Sequence, residues 1–237
     1  MSSQPPERDP QDEKDRALIA QAQAGDREAL GRLLERMQDR VFAVAYRMVG
    51  SREAAGDVTQ DVFVQLIKGL DRYDGRARVG TWVYRIAMNV AISYLRREGR
   101  RRHRSLDAAQ RYAENEDSRP TTLGAAIADE SIKAGSHAVE RQEADIRSAE
   151  RIQDALNHLS DEHRAVLILR DATGLDYQQV ADALDLPVGT VKSRLFRARI
   201  ALREVLEAER VEREGRASDQ SPDEVDHDRG GRGDADG

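Results

Sequence analysis

The chain has 237 residues, no cysteine, 4% aromatic and 35% charged residues, which excludes disulfide scaffolds, thiolate catalysis and cysteine-held zinc and predicts small aliphatic cores. No apolar run approaches the ~20 residues that span a bilayer, and the polar start with Pro5, Pro6 and Pro10 lacks the apolar centre of a signal peptide, so a cytoplasmic protein without membrane insertion is expected. The net charge of −6 is unevenly spread: 207–237 carries −6, 105–145 carries −5, and Arg96–Arg104 carries +5, and this local field is what a polyanion meets.

Residues 1–16 are expected to be disordered, with a first module over 17–104. Leu30, Leu33, Leu34, Met37, Val41, Val44, Ala45 and Met48 recur at three and four, predicting a long amphipathic helix. Gly50 stops it and Ser51 caps the next helix, Arg52 to Leu70. That helix is expected to bury Val58, Val62 and Leu66, with Phe63, Ile67 and Leu70. Its polar side carries Asp57, Gln60, Asp61 and Gln65, with Val64 beside them. The stretch 71–80 has two glycines and no helical period, so its backbone reads as irregular. Thr81 is expected to cap a third long helix with Val83, Ile86, Ala87, Val90 and Tyr94 inward. Trp82, Arg85, Asn89, Ser93 and Arg96 line an adjacent face.

An acidic flexible linker is expected over 105–147, containing Pro120 and a helical piece near Ala138–Ala149. A second module follows over 148–206, then a disordered acidic tail over 207–237. In the second module Ile152, Leu156 and Leu159 lead into Ser160, which caps Asp161 to Asp171. No alternating β-branched run or Asn-Gly hairpin appears. The fold class is therefore all-α, two small helical domains joined by a flexible linker.

The end of the second module carries the sharpest signal. Asp176 suits an N-cap for Tyr177 to Leu184, which aligns Val180, Ala181 and Leu184. Pro187 fits the first position of the following helix, where no N–H is needed. In that helix Val191, Leu195, Ala198 and Leu202 share one narrow sector, while Thr190, Ser193, Phe196 and Arg197 point away, flanked by Lys192 and Arg194. Five basic residues and no acidic one lie between Val188 and Arg203. This is a helix-turn-helix whose second helix suits a DNA major groove.

The block Leu159–Arg170 with Gly174–Tyr177 and this helix pair resembles region 4 of bacterial sigma factors. Asp57–Phe63 and Thr81–Asn89 resemble region 2, in the same order, and the likeness is nearest to the extracytoplasmic-function (ECF) type. The resemblance implies a factor that binds core RNA polymerase, recognises −35 and −10 promoter elements and starts transcription in response to stress or another signal. Its implied partners are the polymerase (β′ clamp and β flap), promoter DNA and an anti-sigma factor. Asp57, Gln60, Asp61, Val64 and Gln65 would face the polymerase. Tyr73, Arg76, Arg78, Trp82, Arg85, Asn89 and Arg96 would hold the −10 element as a single strand, where stacking on Tyr73 contributes roughly 1–3 kcal/mol. Thr190, Lys192, Ser193, Arg194 and Arg197 would read the −35 duplex.

Several readings stay open in the sequence. Trp82 is either a wedge against the last paired step or a core residue. Phe196 either touches a thymine methyl or packs between helices. The run Arg100–Arg102 with Arg104 either follows a DNA backbone or solvates the linker. The linker and tail exceed the family's minimal pattern, and the tail is either inert, a shield for the basic helix, or a regulator's target. His158 and His163 are off the spacing of a helical metal pair, and neither a phosphate-cradling glycine loop nor a nucleophile–base pair occurs. No metal, cofactor or enzymatic activity is expected. The main rival reading is a free-standing helix-turn-helix regulator, which would have no use for the region-2-like block.

Overall fold

The computed structural model describes residues 10–113 and 138–219, with side chains described over 10–101 and 148–213. Eight α-helices appear among these residues: α1 (Pro10–Gln23), α2 (Arg27–Val49), α3 (Arg52–Gly69), α4 (Val79–Ala113), α5 (Ala138–Asn157), α6 (Asp161–Leu167), α7 (Tyr177–Leu184) and α8 (Val188–Asp219). A short 3-10 turn, Leu70–Arg72, follows α3, and a π turn, Ile168–Ala172, follows α6.

The punctuation follows local chemistry. Asp26 caps α2 by accepting from the Glu28 and Ala29 amides, and Gly50 stops it at φ 75°, a left-handed conformation that glycine takes without strain. Ser51 accepts from the Ala54 amide and Ser160 from the His163 amide. Asp176 and Gln179 form a reciprocal capping box at the start of α7. Pro187 stands just ahead of α8, its carbonyl receiving the Thr190 and Val191 amides.

Three expected boundaries are corrected. Residues 10–16, expected to be disordered, form the first turns of α1, supported by the Asp12–Arg16 pair four residues apart and by the buried Asp15. Residues 105–113 continue α4, within what was expected to be linker, and the helical piece expected near Ala138–Ala149 is the first part of α5. Residues 207–219, expected to be tail, extend α8, where Glu207 and Arg210 pair at 3.1 Å among good helix formers. The rest of the expected N-terminal segment, linker and tail lies outside the described residues.

Helices α1 to α4 close a bundle around Leu33, Met37, Val41, Met48, Val58, Val62, Leu66, Val83 and Met88. Helices α5 to α8 close a smaller one around Leu156, Val166, Leu167, Leu195 and Ala198. The two bundles meet at a packed junction. Helix α7 packs on α4, and Ile168, Leu169, Val180, Ala181 and Ala183 continue the first core. Arg164, only 6% exposed, crosses the junction by donating to the Met48 carbonyl of α2.

Candidate nucleic-acid interface

Helix α3 buries Val58, Val62 and Leu66, which leaves Asp57, Gln60, Asp61, Val64 and Gln65 exposed along the opposite side. Ile67 is a correction: expected in the core, it is 46% exposed beside Val64 at 45%. It follows Gln60 by two turns, so it shares the outer sector. The outer face is therefore polar with an apolar strip, a surface suited to protein contact.

Helices α3 and α4 lie side by side and leave a groove of about 640 Å³. Asp61, Val64 and Gln65 line it together with Trp82, Asn89 and Arg97. Residues expected to face polymerase thus adjoin residues expected to face the −10 strand. Arg97 was not foreseen; it sits 3.9 Å from Asp61 and four residues past Ser93, a spacing that places it on the same helix face. Arg72, also unforeseen, lines this groove and the next.

Around the end of α3, Tyr73 and Trp82 meet with ring centroids 4.9 Å apart and planes tilted 42°. Burial raises the Tyr73 pKa, with Arg16 pulling the other way, and its hydroxyl donates to the Ala77 carbonyl at 2.7 Å. Trp82 packs against the core, one of the two readings left open above, and its remaining surface lines both grooves. Arg76, Arg78 and Arg85 are exposed, and Arg76 pairs with Asp74 at 3.2 Å. Arg96 lies two turns beyond Asn89 and lines neither groove.

Tyr73, Arg76, Trp82 and Arg85 form one wall of a second groove, about 670 Å³, and Asp182, Asp185, Leu186 and Pro187 form the other. The C-terminal end of α7 therefore stands over the −10 candidates and sets two carboxylates across from three arginines, counting Arg72.

In α8, Val191, Leu195 and Ala198 are buried, and Lys192, Ser193, Phe196 and Arg197 are exposed, with Thr190 at the edge. Phe196 is 67% exposed, so it does not serve as packing between helices in this chain. The basic residues divide into engaged and disengaged. Arg194 is tied to Glu162 at 3.1 Å, and Arg199 is held by both Asp171 oxygens at 2.6 and 3.1 Å, a bond that raises its pKa. The Lys192 ammonium lies 5.5 Å over the Tyr177 ring. The Ser193 hydroxyl donates to the Thr190 carbonyl at 3.0 Å. Arg197 has no ion pair among the described residues. No cluster of three or more His, Asp or Glu among the described residues could hold a metal ion, and no described helix is long and apolar enough to cross a membrane.

Residues 33–101 match the family model of sigma-70 region 2, and residues 149–202 match that of sigma-70 region 4. The chain is 34% identical over 188 residues to the ECF RNA polymerase sigma-E factor of Haemophilus influenzae, covering 78% of this chain and 91% of the relative. It is 30% identical over 205 residues to the RNA polymerase sigma-H factor of Pseudomonas aeruginosa, covering 82% and 95%. Among solved structures it resembles CnrH in complex with the cytosolic domain of CnrY, at 26% identity and TM-score 0.53, covering 82% of this chain and 98% of that one. The fold also resembles RpoE in complex with the anti-sigma factor NepR from Bartonella quintana, at 24% identity and TM-score 0.54, covering 75% and 96%.

Proposed function

Because this chain belongs to the ECF group of the sigma-70 family, and so is a non-enzymatic sigma factor for transcription initiation, we propose how its surfaces divide that work. The outer side of α3, with Asp57, Gln60, Asp61, Val64 and Gln65, docks on the polymerase β′ clamp. The loop at 73–79 with the start of α4 holds the −10 element as a single strand through Tyr73, Arg76, Arg78, Trp82, Arg85 and Asn89, and Arg96 guides the backbone beyond. Helix α8 reads the −35 duplex through Thr190, Lys192, Ser193 and Arg197, with the β flap meeting the same module. The first module runs from α1 through the basic run of α4 and the second from α5 through α8.

One observation carries this reading: Asp61, Val64 and Gln65 of the proposed docking stripe and Trp82 and Asn89 of the proposed strand site line one groove between α3 and α4. An opened strand held there is fixed relative to the polymerase. The half-buried tyrosine–tryptophan pair lining a groove beside arginines suits single-strand capture by stacking. Arg194, committed to Glu162, supports α8 instead of reading bases.

The packing of α7 over the −10 candidates has a consequence. Positions −35 and −10 are 25 base steps apart, about 85 Å along B-DNA at 3.4 Å per step. One promoter engages both surfaces only when the second module leaves the first. The acidic end of α7 stands where a DNA backbone would lie, so the described arrangement is the resting form. RpoE, whose fold this chain resembles, is bound by the anti-sigma factor NepR, and an anti-sigma factor is the partner expected here to hold this form, releasing it in response to stress. The working place is the cytoplasm, with the polymerase.

Two measurements test these assignments. With core polymerase and the full chain, a 2-aminopurine base placed in the −10 element should brighten as it unstacks, and Tyr73→Ala should abolish the gain. An equal gain in that variant removes the loop from strand capture. Separately, Arg197→Ala should weaken binding to −35 duplex by about tenfold, either uniformly with a salt slope reduced by about one unit or with relaxed base preference. Arg199→Ala should do less, because its guanidinium is already spent on Asp171. Anisotropy titrations at several salt concentrations separate these outcomes.

A further inference from the structure

Helix α1 lies ahead of the residues that match region 2, yet its side chains end on the −10 loop. Asp12 supplies the cap of α4 from 67 residues away: one carboxylate oxygen accepts from the Val79 amide at 2.8 Å and the other from Arg16 Nε at 2.7 Å. Arg16 then donates through Nη1 to the Gly75 carbonyl at 2.5 Å and through Nη2 to the Ala77 carbonyl at 3.1 Å. Gln23, two turns on, donates from one amide nitrogen to the Leu70 and Tyr73 carbonyls at 2.8 and 3.1 Å. Three side chains thus satisfy four carbonyls and one amide of the connection between α3 and α4.

The brace is itself anchored. Arg36 of α2 donates to the buried Asp15 at 2.8 Å, and Ile19 is 1% exposed in the first core. The loop is shaped to receive it: Gly75 has φ 73°, and a Cβ there would stand 3.3 Å from Arg16 Nη1. Ala77, which takes the Arg16 bond, also takes the Tyr73 hydroxyl, and Tyr73 leans on Trp82. A chain of bonds therefore runs from α1 to the two aromatic rings.

We infer that Asp12, Arg16 and Gln23 are positioning residues for base capture, holding the 70–79 segment in the shape that presents Tyr73 and Trp82 to an unstacked −10 base. The inference rests on the assignment of that loop to the −10 strand. An irregular loop that must grip one base has to be pre-organised, since ordering it on binding would subtract from affinity and blur the choice of base. The loop's own bonds, from the Tyr73 hydroxyl to the Ala77 carbonyl and from the Arg76 amide to Asp74, leave the Gly75 carbonyl and the Val79 amide to partners from α1. The role is one of selectivity as much as of affinity, because the brace sets where the rings stand without touching DNA.

The test uses the full chain with core polymerase on a set of templates in which each −10 position is varied in turn. Arg16→Met and Gln23→Met keep the aliphatic stems and remove the donors. Each is expected to lower the preference for the favoured base at a −10 position by about tenfold, the scale of one lost bond from a charged or well-aligned donor. Affinity for core polymerase and for −35 duplex should stay within about twofold. Asp12→Asn keeps an acceptor for the Val79 amide and should retain more selectivity than Asp12→Ala. If a variant's output falls by the same factor on every template, or if its base preference matches the unaltered chain, the positioning role is overturned. If Arg16→Met does not fold, Gln23→Met and the Asp12 pair decide the matter alone. Failure of the unaltered chain to select any −10 sequence would instead overturn the loop assignment on which this one stands.

Discussion

Replacing Gln60 and Asp61 together by alanine is expected to weaken binding to core polymerase by about 100-fold or more while leaving −35 duplex affinity unchanged. Both side chains are exposed on the side of α3 opposite Val58, Val62 and Leu66, so their loss opens no cavity. Among the described residues the internal bond at risk is the Asp61–Arg97 pair, 3.9 Å long and more than half exposed at both ends, a geometry that contributes at most about 1 kcal/mol. In a complex these groups would accept and donate at a desolvated surface, where a hydrogen bond involving a charged group is worth about 1.5–3 kcal/mol. Two such losses give the stated factor. The exposed Val64 and Ile67 beside them supply the apolar part of the contact, so Val64→Asp should reinforce the defect. Titration of labelled chain against core polymerase reads the effect, with thermal unfolding as the control. Unchanged core affinity would move the docking face off α3.

Arg164→Met is expected to cost about 3 kcal/mol or more, roughly 6–12 °C in Tm for a chain of this size, and to uncouple the two modules. The guanidinium is buried and donates to the Asn157 and Leu159 carbonyls at 3.0 and 3.1 Å as well as to Met48 across the junction. Burial lowers its pKa and Asp161 partly offsets this, and three carbonyl acceptors converge on the group. Methionine fills the space and leaves those carbonyls without a donor. The junction has few polar substitutes. Gln153 reaches the Arg47 carbonyl at 3.3 Å, and Asn157 sits so close to Gly50 that a Cβ there would lie 2.5 Å from its Oδ1. Unfolding should change from one transition to two. With α7 freed from α4, the isolated variant should bind a single-stranded −10 oligonucleotide more tightly than the unaltered chain. A single transition with no gain in strand binding would show that the junction does not restrain the −10 surface.

Much of this was legible in sequence because it is local. The threes and fours of α2, the stop at Gly50, and the caps at Ser51, Ser160 and Asp176 depend on neighbours a few residues away, and each appears where the spacing places it. What was missed depends on distant partners. Thr81 looks like the cap of α4, yet the helix begins at Val79 because Asp12 takes its first amide. Thr81 is buried, with its hydroxyl unpartnered among the described residues. Helix α1 buries little beyond Asp15 and Ile19, so no periodic stripe announces it; besides Ile19 and the Arg36–Asp15 pair, it is held by side-chain hydrogen bonds to backbone 47 to 67 residues on. The candidate site divides in the same way. Outward faces followed from helical period, so the α3 stripe and the exposed part of α8 stand where expected. Which cations remain available did not, since Arg194 and Arg199 are claimed by Glu162 and Asp171 from other helices. Val180, Ala181 and Leu184 read as the seam of one small module, yet Val180 and Ala181, joined by Ala183, belong to the core that α4 also builds, so the docking of the modules was invisible to pattern.

The most direct test of the whole account is run-off transcription with purified core polymerase on a promoter library. Adding the chain should create discrete new start sites downstream of a shared pair of sequence elements, and the Gln60/Asp61 double variant should create none. Occupancy of duplex sites by the chain without any new start, under conditions where a relative such as a sigma-E factor is active, would contradict it.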